Sequence, residues 1–107
     1  MSQMAEREKR VSLHLAMEAR GEEATGSSFS EETRSLNISG GGILFESRHN
    51  LLVGSQVLLA ISVPPALQKR FGNRPVYRAR AVVCRVERFE GEPVSRVGAR
   101  FLGEAEA

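Results

Sequence analysis

Aspartate and tryptophan are absent from this 107-residue chain, and there is one tyrosine and one cysteine. Lysine is scarce: of 15 cationic residues 13 are arginine and 2 lysine, facing 13 acids that are all glutamate. Without aspartate there is no Asp-containing triad, no EF-hand loop and no two-metal aspartate cluster. A single cysteine, Cys84, excludes an internal disulfide and any Cys-cluster zinc site. No apolar run approaches the ~20 residues that span a bilayer. The first ten residues, MSQMAEREKR, carry no apolar signal segment. The expectation is a cytoplasmic protein without membrane insertion. Cys84 lies in the apolar run Ala81–Val86, which predicts a buried, inert thiol.

The chain has the length of one domain, with 41% hydrophobic and 26% charged residues, ordinary values for a globular fold. Its net charge of +2 is too small for a dedicated polyanion binder. Arginine suits bidentate contacts to phosphate and to base edges. The excess of arginine over lysine is equally the mark of a GC-rich genome. On that reading Arg78, Arg80, Arg85, Arg96 and Arg100 decorate strands.

Val11 to Arg20 alternates apolar and polar residues with a period of two, which predicts a half-buried strand ended by Gly21. Residues 21–32, rich in Gly, Ser and Glu, read as a loop. Thr33–Ile38 and Ile43–Ser47 read as strands joined by Ser39-Gly40-Gly41-Gly42. Gln56–Val63 is a strongly apolar strand stopped by Pro64-Pro65, and Ala66–Phe71 has room for one or two helical turns. Val76–Glu87 and Val94–Leu102 are the last two strands. Six strands with regular turn signals and at most one short helix predict an all-β, small six-stranded antiparallel barrel or sandwich. The division expected is a flexible tail over 1–5, a domain over 6–103 with a basic arm at 6–10, and a frayed acidic tail over 104–107.

A search for catalytic chemistry finds little, so the chain reads as not an enzyme. His14 and His49 stand at no metal-ligand spacing to another His or Cys. No Gly-x-Ser-x-Gly elbow is present, and the triple glycine lacks the Lys-Ser/Thr of a phosphate-binding loop. Two features remain. Asn37-Ile38-Ser39-Gly40-Gly41-Gly42 puts short hydrogen-bonding groups before a glycine turn, where Gly42 admits a ligand or another backbone. A turn that satisfies its own backbone is the plainer reading. The basic arm Arg7-Glu8-Lys9-Arg10 precedes the first strand.

In this order the two features resemble the PilZ domain, a bacterial receptor module for cyclic di-GMP. That family's pattern is an R-x-x-x-R arm, then [D/N]-x-S-x-x-G, which Asn37, Ser39 and Gly42 fill. Leu36–Phe45, Leu52–Leu59 and the closing Val97-Gly98-Ala99-Arg100-Phe101 are similar to the family's flanking segments, so the match spans about residues 6–102. Arg10 fits the second arm arginine, while the first position holds Glu6, with Arg7 one place late. The resemblance implies a six-stranded barrel binding cyclic di-GMP on its outer face through Arg7, Arg10, Asn37, Ser39 and Gly42. It implies no metal or other cofactor, and an effector protein as partner. Ordering of the arm would be the signal. Glu6 gives the alternative, a PilZ-like adaptor that has lost nucleotide binding. A barrel for single-stranded nucleic acid is a third class. It needs exposed aromatic platforms, and here most aromatics are expected in the core. No DNA or RNA partner is expected.

Overall fold

The computed structural model describes residues 12–105. Six antiparallel strands, β1 (Ala16–Glu22), β2 (Ser28–Ile38), β3 (Gly42–Ser47), β4 (Gln56–Ser62), β5 (Val76–Glu87) and β6 (Ser95–Glu104), close into a barrel. Their order around it is β1-β2-β3-β6-β5-β4, so β5 and β6 lie across the barrel from β1 and β2. One short 3-10 helix, Pro65–Phe71, joins β4 to β5; Pro starts it and Gly72, in the left-handed region at φ 71°, ends it. The all-β barrel expected from the sequence is the fold observed.

Alternation fills the interior. Met17 and Ala19, Phe45, Val57, Leu59 and Ile61, Ala79, Ala81 and Val83, and Val97 and Ala99 all point inward and are buried. Closure leaves no open sheet edge, which suits a chain too small for a second layer. Among the described residues, no helix is long and apolar enough to cross a membrane.

Three boundaries differ from the sequence reading. The first strand begins at Ala16 rather than Val11; Leu13 and Leu15 pack on the core from a non-ladder segment. Residues 28–32, expected in a loop, form the first half of β2, because Phe29 is buried opposite Gly21 and Ser30 Oγ donates to Glu18 Oε2 at 2.9 Å. The expected acidic tail is ordered at its start: Glu104 ends β6, and Ala105 N–H donates to the Arg78 carbonyl at 2.9 Å. The tail and arm expected over 1–10 lie outside the described residues.

Candidate functional site: a groove across the outer face of β3, β6 and β5

Two bulges shape this face. β2 keeps a strict alternation as far as Ser35, which is buried; its next inward residue should be Asn37. The register between β2 and β3 shifts between Ser35 and Asn37, so Leu36 is extra and Ile38 takes the inward place. Asn37 therefore faces outward, paired with Leu44. β5 repeats the device. Ala79, Ala81 and Val83 are buried, and Arg85 would come next. The ladder to β6 shifts between Val83 and Arg85, and Arg85 is left exposed, paired with Gly98. Since Gly98 also pairs with Leu44, one transverse row runs Asn37–Leu44–Gly98–Arg85 across four strands. The adjacent row holds Gly42 and Arg100.

Between these rows lies a shallow groove of about 420 Å³, lined by Ser39, Gly42, Leu44, Cys84, Gly98, Arg85 and Arg100 among others. Its size falls within the ~300–1,000 Å³ common for ligand sites. Asn37 stands at its rim beside Leu44, since cross-strand partners share a face. Among the described residues, Arg100 has no acidic partner, and Arg85 makes a loose contact with Glu87, 3.8 Å from Nε to the carboxylate. The groove is thus cationic. A hollow of about 480 Å³ on the β2–β3 side is lined by Glu31, Glu32 and Glu46 together with Arg34, Arg48 and His49, Arg34 being held by Glu46 at 3.3 Å. The charges of that hollow are mixed, whereas the groove's lining holds two arginines and no acid, so the groove is the better place for a phosphodiester.

The turn over residues 39–42 is organised by its serine. Ser39 N–H donates to the Gly42 carbonyl at 2.9 Å, and Ser39 Oγ accepts from the N–H groups of Gly41 and Gly42 at 3.2 and 3.1 Å. None of the three glycines needs a positive φ. Gly42 is demanded by packing: a Cβ there would stand 2.7 Å from the Ala99 carbonyl oxygen of β6. Of the two uses of Gly42 read from the sequence, a close backbone is the one seen. The Asn37 amide, by contrast, makes no hydrogen bond to another described residue.

The chain enters β1 beside the last part of β2. Leu15 N–H donates to Ser35 Oγ at 2.9 Å, Ser35 Oγ donates to the Leu13 carbonyl at 2.5 Å, and Ser35 N–H donates to the Leu15 carbonyl at 2.9 Å. Ser35 is fully buried, and these bonds fix residues 13–15 against the end of β2 that runs into Asn37. Arg7 and Arg10, the arm residues singled out from the sequence, lie outside the described residues.

Two expectations are corrected here. Cys84 is exposed on the groove wall rather than buried. The period of β5 that buries Ala79, Ala81 and Val83 sends residue 84 outward, and this overrides its apolar neighbours. Arg85 and Arg100 do more than decorate strands: they line the same groove as Ser39 and Gly42. Nothing in the spacing of Arg85 could reveal this, because the bulge that turns it out is a property of the pairing with β6. Arg100 was legible in principle, on the outward phase of Val97-Gly98-Ala99-Arg100. His49 is half-buried, stacked on Phe29 at 4.6 Å and paired with Glu23. The aromatic platform of a single-strand binder is missing among the described residues: Phe89 is the one exposed ring, and Arg96 covers it at 5.0 Å.

Comparison with known proteins bears on this geometry. The sequence model of the PilZ domain matches residues 5–107. Among solved structures, the inhibitor of motility MotI/DgrA of Bacillus subtilis superposes with a TM-score of 0.66 at 18% identity, over 98% of this chain and 44% of that one. The PilZ domain of YcgR from Escherichia coli, solved with cyclic di-GMP, gives 0.59 at 17% identity, over 90% and 76%. MrkH of K. pneumonia in its apo state gives 0.56 at 15% identity, over 88% and 41%. The chain therefore spans less than half the length of the Bacillus and Klebsiella structures. No curated protein matches its sequence. At these identities the structures speak for the fold, and the match of the family's sequence model over nearly the whole chain speaks for the family: this chain is a PilZ domain.

Proposed function

We propose that the domain is a receptor for cyclic di-GMP that passes ligand occupancy to an effector protein, and that it is not an enzyme. The observation that carries this is the bulge-turned Asn37 beside the Ser39–Gly42 turn, on the rim of a cationic groove large enough for much of a dinucleotide. The similar barrel from Escherichia coli was solved with the same nucleotide. Asn37 hydrogen-bonds a guanine edge or a phosphate oxygen from the barrel. Ser39 holds the turn's amides in place, and Gly42 lets β3 and β6 close beneath it. Arg10 lies three residues before Leu13, so it is within about 11 Å of that anchor at full extension. Its guanidinium reaches the groove's end and contacts a phosphate or a guanine O6/N7 edge, with Arg7 adding charge. Closing the arm over the nucleotide creates the surface that an effector reads. The cytoplasm, where a nucleotide second messenger resides, is the compartment this reading requires.

Isothermal titration with cyclic di-GMP tests it. The wild type saturates in the micromolar range. Arg10→Ala, which loses one charge-assisted contact of about 1.5–3 kcal/mol, binds roughly ten- to hundred-fold more weakly. Absence of heat and saturation at millimolar nucleotide overturns the reading. A second reading, an adaptor without nucleotide, draws on one observation: Ser39 and Gly42 both have complete structural duties within the turn. Under it Asn37→Ala and Arg10→Ala leave effector binding intact and no variant responds to nucleotide.

A further inference from the structure

We propose that Arg85 and Arg100, flanking the bare backbone at Gly98, are nucleotide-contacting residues of this chain: they receive one guanine and one phosphate of the cyclic dinucleotide, and supply from the barrel the second cationic contact that the arm lacks at Glu6. The inference rests on the reading of the domain as a cyclic di-GMP receptor and deepens it.

Three observations carry it. The first is the contrast between two glycines on neighbouring rows. Gly42 is required by the fold, since a Cβ there collides with β6 backbone at 2.7 Å. Gly98 is not: a Cβ there would meet only the Arg85 side chain, at 3.7–4.0 Å, an ordinary contact. It also lacks a positive φ that would call for glycine. A mid-strand glycine that neither sterics nor backbone demands weakens its sheet; such a glycine marks a bulge, a bend or a place where something approaches the backbone closely, and Gly98 lies opposite the β5 bulge with open groove above it. Here the approach is from outside, because the space above Gly98 is the groove.

The second observation is the bulge in β5. It turns Arg85 out of the inward phase and lays its guanidinium beside Gly98. A guanidinium lying against the glycine backbone suits a planar base at this point of the groove, by stacking on the cation and by forked hydrogen bonds to guanine O6 and N7. The third is the unpaired state of Arg100 among the described residues, one row away beside Gly42. Its charge is free for a phosphodiester oxygen. Glu6, at the arm position where the family pattern has arginine, cannot make that contact.

Cys84, the single thiol, lies on the wall of the same groove and reports its occupancy. The test combines titration with cyclic di-GMP and the rate of Cys84 alkylation by iodoacetamide, on the full chain. The variants are Gly98→Val, Arg85→Ala/Arg100→Ala, and a control, Arg78→Ala/Arg80→Ala, which removes the same charge outside the groove. Expected results are a Gly98→Val protein that melts no lower than wild type and binds at least about ten-fold more weakly, a double groove variant weaker by about ten- to hundred-fold, and a control within about two-fold. Nucleotide slows Cys84 alkylation in the wild type and fails to do so in Gly98→Val. If valine unfolds the barrel, Gly98→Ala replaces it with the same expected direction. Wild-type affinity in Gly98→Val and in the groove variant, with unprotected Cys84, overturns the inference and leaves the receptor reading standing. A wild type that binds no cyclic di-GMP overturns both.

Discussion

At Gly42 a methyl group has nowhere to go, because the Ala99 carbonyl oxygen already occupies its contact distance. Gly42→Ala must push β3 off β6 and should cost about 1–3 kcal/mol, read as a lower urea midpoint. Gly98→Ala should leave that midpoint unchanged or raised, since strand residues gain by having a side chain. The single tyrosine offers a second test at this scale. Burial and the Glu104 carboxylate raise the Tyr77 phenol above its ordinary 10.0, with Arg74 opposing. A group whose folded pKa is raised contributes stability that is whole below the unfolded pKa and lost as pH rises through the folded value. Tyr77 therefore leaves stability untouched below about pH 10 and lowers it above. Tyr77→Phe should flatten that alkaline loss in melts recorded at rising pH. At this scale the sequence was legible for the motif's placement: Ser39 and Gly42 share one turn at the groove, and Asn37 stands just before it at the end of β2. What Gly42 does there needed the β3–β6 register.

Between residue and barrel, the bulges and the Ser35 anchor decide what the elements present. Ser35 is a buried hydroxyl that serves both Leu15 N–H and the Leu13 carbonyl. Ser35→Ala strands both groups, at about 1–3 kcal/mol. It should also speed hydrogen exchange at Leu15 and weaken nucleotide binding by loosening the root of the arm. A loss of stability with no faster exchange at Leu15 would separate the anchor from the arm. Element types were plain from alternation, and β3, β4 and β5 begin within a residue of where the pattern starts them. The extra residues Leu36 and Cys84 were not. A bulge depends on the partner strand's register, and one extra residue inverts every later side chain. That is why Asn37 and Arg85, both on an inward phase by counting, end on the same outer row. The start of β2 was hidden for another reason: its Ser and Glu residues resemble a loop until Phe29 is seen buried against β1.

Viewed whole, the barrel is electrically polarised. Glu18, Glu22, Glu31, Glu32 and Glu46 outnumber Arg20 and Arg34 on β1–β3, while Arg78, Arg80, Arg85, Arg96 and Arg100 outnumber Glu87 and Glu104 on β5–β6. A net charge of +2 conceals this. That distribution favours an anion on the β5–β6 side, and salt, with a Debye length of ~10 Å at 0.1 M, screens the attraction. Affinity for cyclic di-GMP should accordingly fall as salt rises, by more in the wild type than in Arg85→Ala/Arg100→Ala. Composition could not place these charges; closure in the order β1-β2-β3-β6-β5-β4 does. The central claim is that the nucleotide lies across β2, β3, β6 and β5 on the outer face. Amide chemical-shift mapping of the full chain during a cyclic di-GMP titration tests it most directly. The account predicts saturable shifts concentrated at Asn37, Ser39 to Leu44, Cys84, Arg85 and Gly98 to Arg100, with β1 and β4 quiet from Glu18 to Glu22 and Gln56 to Ser62. Saturable shifts centred on β1 and β4, or none at millimolar nucleotide, would contradict it.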